Sequence, residues 1–111
     1  MIKVTCGKGE EYLTEDEKEK VNQISQAYFD KISNHIKDIE EFEVHLKCHK
    51  KEGNTKRYVL GIRIVADGQD FDSEVEDYNL NDGIKKAIVK IQNEIEHKIH
   101  KSDQGRKPRK K

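Results

Sequence analysis

The chain has 111 residues, of which 32% are hydrophobic and 40% are charged, and its formal net charge is zero. This length allows one domain with a single modest core and excludes a second core. Because tryptophan is absent, we expect a thin, largely aliphatic core. Such a core is typical of two layers, with helices on one face of a sheet whose other face is wet.

The first third of the chain predicts a short strand and a long helix. Residues 2–6 alternate like a strand, and glycines at 7 and 9 end it. Thr14 with Glu17 three residues later has the spacing of a capping box, which marks a helix start. Apolar residues then recur at three- and four-residue steps and predict a helical stripe of about five turns. The stripe consists of Val21, Ile24, Tyr28, Ile32, Ile36 and Ile39.

The apolar period then changes to two, which predicts three strands with one buried and one wet face. The buried positions are Phe42, Val44, Leu46 and Cys48, then Tyr58, Leu60, Ile62, Ile64 and Ala66, then Phe71, Ser73 and Val75. Residues 51–54 predict the first turn, and Asp67-Gly68 is a strong hairpin signal. Gly61 falls on the wet face, where it either lets a partner approach the backbone or accommodates the sheet twist.

A second amphipathic helix follows, with Asn79 as the expected N-cap and Asp82 three residues later. Its core stripe is Leu80, Ile84, Ala87, Ile88, Ile91, Ile95 and Ile99. Gly83 costs about 1 kcal/mol relative to Ala in a helix, and a close contact with the sheet would explain it. From Ser102 onward the pattern predicts a loop, since Gly105 and Pro108 do not continue a helix.

The predicted order is therefore β-α-β-β-β-α, an α+β two-layer sandwich with a four-stranded sheet and two helices on one face. We expect one domain over residues 1–101 and a flexible basic tail over residues 102–111. The tail region, residues 101–111, holds six Lys or Arg and one acid, a net of +5, so residues 1–100 carry a net of −5. Such a tail suits a polyanion, although a disordered solubilising tail explains it equally well.

The cysteines and the N-terminus indicate a cytoplasmic protein. Cys6 and Cys48 are too few for a disulfide framework, so we expect two free thiols in a reducing compartment. No signal peptide pattern opens the chain and no apolar run approaches transmembrane length. The tail has no aromatic or aliphatic residue that could enter lipid, so we expect no membrane attachment.

Enzymatic motifs are absent from the sequence. It contains no nucleophile elbow, phosphate-binding loop or metal motif. The acids between Asp70 and Asp77 lack the pocket context of paired catalytic carboxylates and would instead blunt a sheet edge. Alternation places Cys48 on the buried face but His45 and His49 on the wet face, so these groups diverge. We expect no catalysis, no cofactor, no metal and no small-molecule substrate.

The second half of the chain resembles a known family. The matching residues read IRIVADG from Ile62, FDSEVEDYNL from Phe71 and GIKKAIVKI from Gly83, and continue to Glu94 and Ile95. This passage is similar to the hibernation-promoting factor and ribosome-associated inhibitor A family, in which the last strand leads through an acid-rich turn into a helix. The helix positions that match are Ile84, Ala87, Lys90, Ile91 and Ile95.

The resemblance implies a small cytoplasmic protein that binds the small ribosomal subunit. Members occupy the decoding channel, where tRNA and messenger RNA pass, and so hold idle ribosomes out of translation under stress. The chain is similar to the short form, without the extra domain through which long members pair ribosomes, and we expect a monomer. The capped first helix and acidic body are more similar to archaeal members.

The basic residues form three groups that we expect to contact RNA phosphates. On the last helix these are Lys85, Lys86, Lys90, Lys98 and Lys101; on the wet sheet face Arg57 and Arg63; in the tail Arg106, Lys107, Arg109, Lys110 and Lys111. For any single lysine, a solvated side chain is the simpler explanation. Lys98 also lies one turn after Glu94 and can pair with it.

Two other functions fit parts of the pattern. A double-stranded-RNA-binding module shares the α-β-β-β-α order of residues 14–101 and needs a basic start to its last helix. Lys85-Lys86 approaches that requirement, but the acidic lead-in argues against it. A protein-binding scaffold requires an exposed apolar patch, for which Val59 and Val65 are too small. Tyr78, between strand and helix, suits either base stacking or hinge packing.

Overall fold

The structure, a computed structural model, describes residues 2–36, 38–50, 53 and 55–104, with only the backbone described for residues 99–104. The elements are β1 (Lys3–Cys6), a 3-10 turn (Glu10–Tyr12), α1 (Glu15–Ile32), β2 (Ile39–Lys50), β3 (Lys56–Ala66), β4 (Gln69–Asp77) and α2 (Leu80–Gln104). This order confirms the predicted α+β fold.

The four strands form one mixed sheet in the order β1-β2-β3-β4. β1 runs parallel to β2, which is possible because α1 supplies the crossover that parallel neighbours need. β2, β3 and β4 follow as an antiparallel meander. At the β3–β4 hairpin both Asp67 and Gly68 have positive φ, 53° and 74°. That is the backbone of the two-residue turn predicted there.

The core lies between the helices and one face of the sheet. Val21 of α1 and Ile84 and Ile91 of α2 are fully buried. They share one hydrophobic cluster with the inward side chains of the strands, among them Val44 and Leu60. Each such side chain contributes about 1.5–3 kcal/mol by leaving water. No helix of the described residues covers the opposite sheet face, which we call the open face.

Val59 departs from the prediction that it would be exposed on the open face. It is only 8% exposed, and its cross-strand neighbours are Lys47 and Glu76. Long side chains cover apolar surface with their aliphatic stems, which accounts for the burial of this valine. The open face therefore offers less apolar surface than its sequence indicates.

α1 is shorter than predicted. It ends at Ile32, whereas Ile36 lies in a bend and Ile39 begins β2. The Ser33 hydroxyl donates to a carbonyl of the last turn, a local bond that competes with helical pairing. Asp38 then takes a left-handed φ of 58°, which a right-handed helix does not tolerate. The prediction that the helix continues to Ile39 was wrong. Ile36 and Ile39 have the apolar spacing of a helix because they pack against the core, but they do so from a bend and from β2.

α2 is longer than predicted and runs to Gln104, so residues 102–104 are helical rather than loop. Ser, Asp and Gln cost little in a last helical turn, whereas glycine is a strong breaker. The predicted cap is confirmed, since the backbone N–H of Asp82 donates to Asn79 Oδ1 at 2.9 Å. Gly105, Pro108 and the basic tail lie outside the described residues.

Glu17 joins the start of α1 to β3. Its backbone N–H donates to Thr14 Oγ1 at 3.1 Å, and the Thr14 N–H donates to Glu17 Oε1 at 2.9 Å, which confirms the capping box. Lys56 Nζ donates to the same oxygen at 3.1 Å, and the Tyr58 hydroxyl donates to Glu17 Oε2. One carboxylate thus satisfies the helix terminus and two side chains of the sheet.

These contacts set the protonation of the carboxylate. Burial raises the pKa of Glu17, but the hydrogen bonds from Tyr58, Thr14 and Lys56 outweigh burial and leave the pKa below its usual 4.5. Conversely, burial and the bond to Glu17 raise the pKa of Tyr58 above its usual range. The carboxylate is therefore charged and the phenol neutral throughout the neutral pH range.

Gly83 allows α2 to approach the sheet closely. A Cβ at this position would lie 2.7 Å from Leu60 Cδ1 and 3.4 Å from Asp77 Cβ. Leu60 is fully buried, so its methyl group cannot swing into solvent. The close contact expected from the sequence explains why the helix tolerates a glycine in its first turn.

We predict that Gly83→Ala destabilises the fold. Overpacking costs about 1–3 kcal/mol, which exceeds the gain of about 1 kcal/mol in helix propensity. The urea midpoint should therefore fall. Asn93→Ala, at an exposed position of the same helix, should leave the midpoint unchanged or raise it. Equal gains for both variants would contradict the close packing.

We further predict that Glu17→Gln removes a pH-dependent contribution to stability. Because the folded-state pKa is lowered, that contribution is present above the unfolded-state pKa and is lost as the pH falls through the folded-state pKa. At pH 7 the variant should lose about 1–2 kcal/mol of unfolding free energy, and the loss should shrink below pH 4.5. Glu15→Gln, at a side chain 93% exposed, is the control. A pH-independent loss would disprove the role of the charge.

Candidate nucleic-acid interface

Three lysines of α2 contact β4. Lys86 Nζ lies 2.7 Å from Asp77 Oδ2, at the end of the strand. Lys90 Nζ donates to the backbone carbonyl of Glu74 at 3.0 Å. Lys98 Nζ donates to the backbone carbonyl of Asp70. These lysines, all expected to bind RNA, therefore form a row where α2 runs alongside the strand.

Among the described strands β4 pairs only with β3, so it is an edge strand of the sheet. Edge strands carry unpaired carbonyl groups that can recruit another strand. The ammonium groups of Lys90 and Lys98 satisfy two of these carbonyls on β4. The acids on β4 were expected to protect the edge, and the lysines of α2 add a second protection.

The contacts with β4 hold the lysines without using up their charge. Lys90 and Lys98 bind uncharged carbonyls, and an ammonium has three N–H donors, so donors remain for a phosphate. Lys86 faces a carboxylate, but its side chain is still 65% exposed. Held side chains lose less entropy when they bind, which favours binding.

The exposed side of α2 offers a shallow surface beside this row. Its lining residues enclose a depression of about 350 Å³ and are Lys85, Lys86, Val89, Lys90 and Asn93. Val89 is 54% exposed and lies between Lys86 and Lys90, which are four residues apart, about 6 Å along the helix axis. Sequence reasoning missed Val89 because it lies off the apolar stripe. An apolar spot among cations can accept a sugar or base beside the phosphates.

The two sheet arginines lie elsewhere. Arg57 and Arg63 are on the open face, and the helices cover the opposite face. Arg57 Nη1 is 3.4 Å from Glu76 Oε1, and Arg63 lies 3.2 Å from Asp70 Oδ2 and 3.6 Å from Glu41 Oε1. The structure thus does not bring these arginines together with the α2 lysines. A phosphate on the open face would compete with carboxylates already in place.

Other expected RNA-binding groups are outside the described part of the chain. These are the side chain of Lys101 and the tail residues Arg106, Lys107, Arg109, Lys110 and Lys111. Lys98 also pairs with Glu94 as expected, at 3.7 Å, so it is the most engaged lysine of the row. The lysines that are both exposed and close to one another on α2 are Lys85, Lys86 and Lys90.

Tyr78 is exposed at the junction between β4 and α2. Its side chain is 62% exposed, so it does not act as a packed hinge aromatic. It borders a hollow of about 330 Å³ together with Lys20 and Asn81. An exposed ring suits stacking on a nucleotide base, but the carboxylates of Asp16 and Glu17 line the same hollow and repel a phosphate there.

The described side chains of Cys48 and His45 lie on opposite faces of the sheet. Cys48 is 1% exposed, whereas His45 is exposed and its Nδ1 lies 2.6 Å from Thr5 Oγ1, so the predicted divergence is confirmed. Burial raises the pKa of both thiols, Cys6 and Cys48, which lowers their reactivity. In the described ranges, no three His, Cys, Asp or Glu side chains are placed to hold a metal ion.

Comparisons add no family assignment. Neither a protein-family model nor a curated protein matches the chain. Across the residues that the structure describes, neither helix has the length and apolar character needed to cross a bilayer. The candidate interface therefore depends on the geometry of α2 and β4 and on the resemblance carried by residues 62–95.

The contact between Lys86 and Asp77 predicts a measurable titration. The hydrogen bond from Lys86, followed by that from the Asn79 N–H, lowers the pKa of Asp77 below its usual 3.8. In an NMR titration of the carboxyl carbons, Lys86→Gln should move the Asp77 midpoint back up. Lys85→Gln, one residue away, should leave it in place. If Lys86→Gln leaves the titration midpoint of Asp77 unchanged, the contact between the two side chains is contradicted.

Proposed function

We propose that this protein binds the small ribosomal subunit in the decoding channel and inhibits translation by occupying it. The observation that carries the proposal is the position of the resembling segment. Residues 62–95 form the end of β3, all of β4 and most of α2, and the same segment presents the lysine row. The domain that contains this segment has the α+β fold class that the resemblance to the hibernation factors implies.

The chemistry of the α2 surface supports contact with folded RNA. Lys85, Lys86 and Lys90 present cations along one side of a rigid helix, and Val89 lies among them. Cations of this kind bind phosphates and position a protein without reading sequence. Because folded RNA is recognised largely by shape, this surface needs no base-specific contacts. Inhibition then follows from steric occupation, without catalysis.

The acidic body supports a single orientation on the RNA. Residues 1–100 carry a net charge of −5, and β4 exposes carboxylates on the open face. RNA phosphates repel that face and attract the lysines of α2. The electrostatic field of the domain therefore orients the whole domain with α2 towards the RNA. The basic tail, which follows α2 in the chain, adds salt-dependent attraction to RNA. A cytoplasmic monomer is sufficient for this mode of action.

The double-stranded-RNA-binding alternative rests on the order of α1, β2, β3, β4 and α2, which this chain shares. That class of module uses the basic start of its last helix on the duplex. Here Lys86, near the start of α2, contacts the carboxylate of Asp77. This acidic neighbour affects phosphate binding to a duplex and to ribosomal RNA alike, so the comparison with a plain RNA duplex distinguishes the two proposals.

We predict that Lys85→Gln, Lys86→Gln and Lys90→Gln combined weaken co-sedimentation with purified small subunits. Each lost phosphate contact lowers the salt dependence by roughly one unit of slope, and we expect affinity to fall about 10–100-fold. The measurement is sedimentation across a potassium chloride series, with melting temperatures to verify folding.

A matched variant carries Lys3→Gln, Lys8→Gln and Lys50→Gln, exposed lysines on the β1 side of the sheet. It has the same charge change and should sediment like the unmodified protein. Equal weakening of the two variants would mean that net charge, not the α2 surface, determines binding. Equal affinity of the unmodified protein for a plain RNA duplex would favour the alternative, and no RNA binding would refute both.

A further inference from the structure

A cavity lies between the end of α1 and the middle of α2. Its volume is about 390 Å³, which is within the range of small-molecule sites, about 300–1,000 Å³. It shares no lining residue with the depression beside the α2 lysines. The lining residues that matter most here are Tyr28, Lys31, Ile32, Ile36, Ile95 and Glu96.

Three isoleucines form the apolar part of the cavity. Ile32 and Ile95 are only 6% and 5% exposed and belong to the hydrophobic core. Ile36 packs against the core from the bend that follows α1. The apolar part of the cavity therefore borders the core, and an aliphatic group that enters it leaves water.

The hydroxyl of Tyr28 is buried and has no hydrogen-bond partner among the described residues. Tyr28 is only 6% exposed, and its ring packs against Phe42 with the ring centroids 6.0 Å apart, so the side chain is not free to turn into solvent. A buried hydroxyl without a partner costs stability, and native structures keep few of them. Because Tyr28 lines the cavity, an acceptor bound there would satisfy this hydroxyl.

The Tyr28 hydroxyl is a donor that its own helix cannot satisfy. Ser25, the other unpartnered hydroxyl of α1, can rotate onto a carbonyl one turn back in the helix, whereas a phenol at the end of a ring cannot reach its own backbone. Burial, and then the charge of Glu96, raise the pKa of Tyr28 to about 12. The phenol therefore keeps its proton at neutral pH and requires an acceptor.

Two opposite charges line the same cavity without pairing with each other. Lys31 lies on α1 and Glu96 on α2, and both are exposed. Among the described side chains, neither of them forms an ion pair. His35 lies on the same wall as Lys31, and Gln92 completes the polar part of the lining. This arrangement is complementary to a ligand that carries a positive and a negative charge close together.

We propose that the cavity binds a free amino acid with a branched aliphatic side chain. Its carboxylate accepts hydrogen bonds from the Tyr28 hydroxyl and from Lys31, its ammonium group donates to Glu96, and its side chain lies against the three isoleucines. A fatty acid would leave the carboxylate of Glu96 unpaired, and an amine would leave the phenol and the lysine without an acceptor. The zwitterion satisfies all of these groups at once.

The test is an NMR titration of the full chain with L-leucine. We expect saturable shifts of the amides of Lys31, His35, Gln92 and Glu96. Three matched compounds each lack one feature: isocaproate lacks the ammonium group, isoamylamine lacks the carboxylate, and glycine lacks the apolar side chain. Each should bind at least about tenfold more weakly than leucine, because it leaves part of the cavity unpaired or unfilled.

Tyr28→Phe removes only the hydroxyl and so separates binding from folding. Leucine affinity should fall about tenfold, whereas the melting temperature should stay the same or rise, because an unpaired buried hydroxyl is removed. Glu96→Gln should also weaken leucine binding, which keeps the test valid if Tyr28→Phe folds poorly. Glu19→Gln, at an exposed position of α1, has the same charge change as Glu96→Gln and should bind leucine normally.

Undiminished leucine binding by Tyr28→Phe, equal binding of leucine and isocaproate, or no saturable binding would each overturn the proposal. Shifts of the same amides on dilution of the protein alone would mean that a second copy occupies the cavity, which would overturn it as well. Co-sedimentation of Tyr28→Phe with small subunits should be unchanged, so this proposal and the proposed ribosome binding fail independently.

Discussion

One-sided burial is the constraint on which the rest of this structure depends. Alternation along β2, β3 and β4 points apolar side chains such as Val44, Leu60 and Ile64 towards the helices, and each helix supplies one apolar stripe. With 32% hydrophobic residues, the part of the chain that the structure describes covers only this face of the sheet with helices. The charged residues therefore lie on two opposite surfaces, and their local partners determine what each surface can bind.

The two surfaces neutralise their charges differently. On α2, Lys90 is held by a backbone carbonyl of β4, which positions the cation but leaves its charge. On the open face, Arg63 is held by two carboxylates, so little positive charge is left there. A chain with no net charge can therefore still present a cationic surface on α2.

Local patterns were enough to predict most of the fold. The capping box at Thr14, the turn at Asp67 and the cap at Asn79 depend on neighbouring residues, and the strand faces follow from a period of two. The end of α1 was not predictable from the apolar spacing, because Ile36 packs on the core from a bend. The lysine contacts with β4 depend on strand order and on how α2 packs beside the edge strand, which a single sequence does not specify.

Competition with tRNA tests the central claim most directly. Small subunits are loaded with tRNA on a messenger, the protein is added at a salt concentration at which it binds vacant subunits, and the bound protein is measured after sedimentation. The account predicts that bound tRNA excludes the protein and that excess protein prevents tRNA binding, because both occupy the decoding channel. Simultaneous binding of protein and tRNA to the same subunit would contradict it.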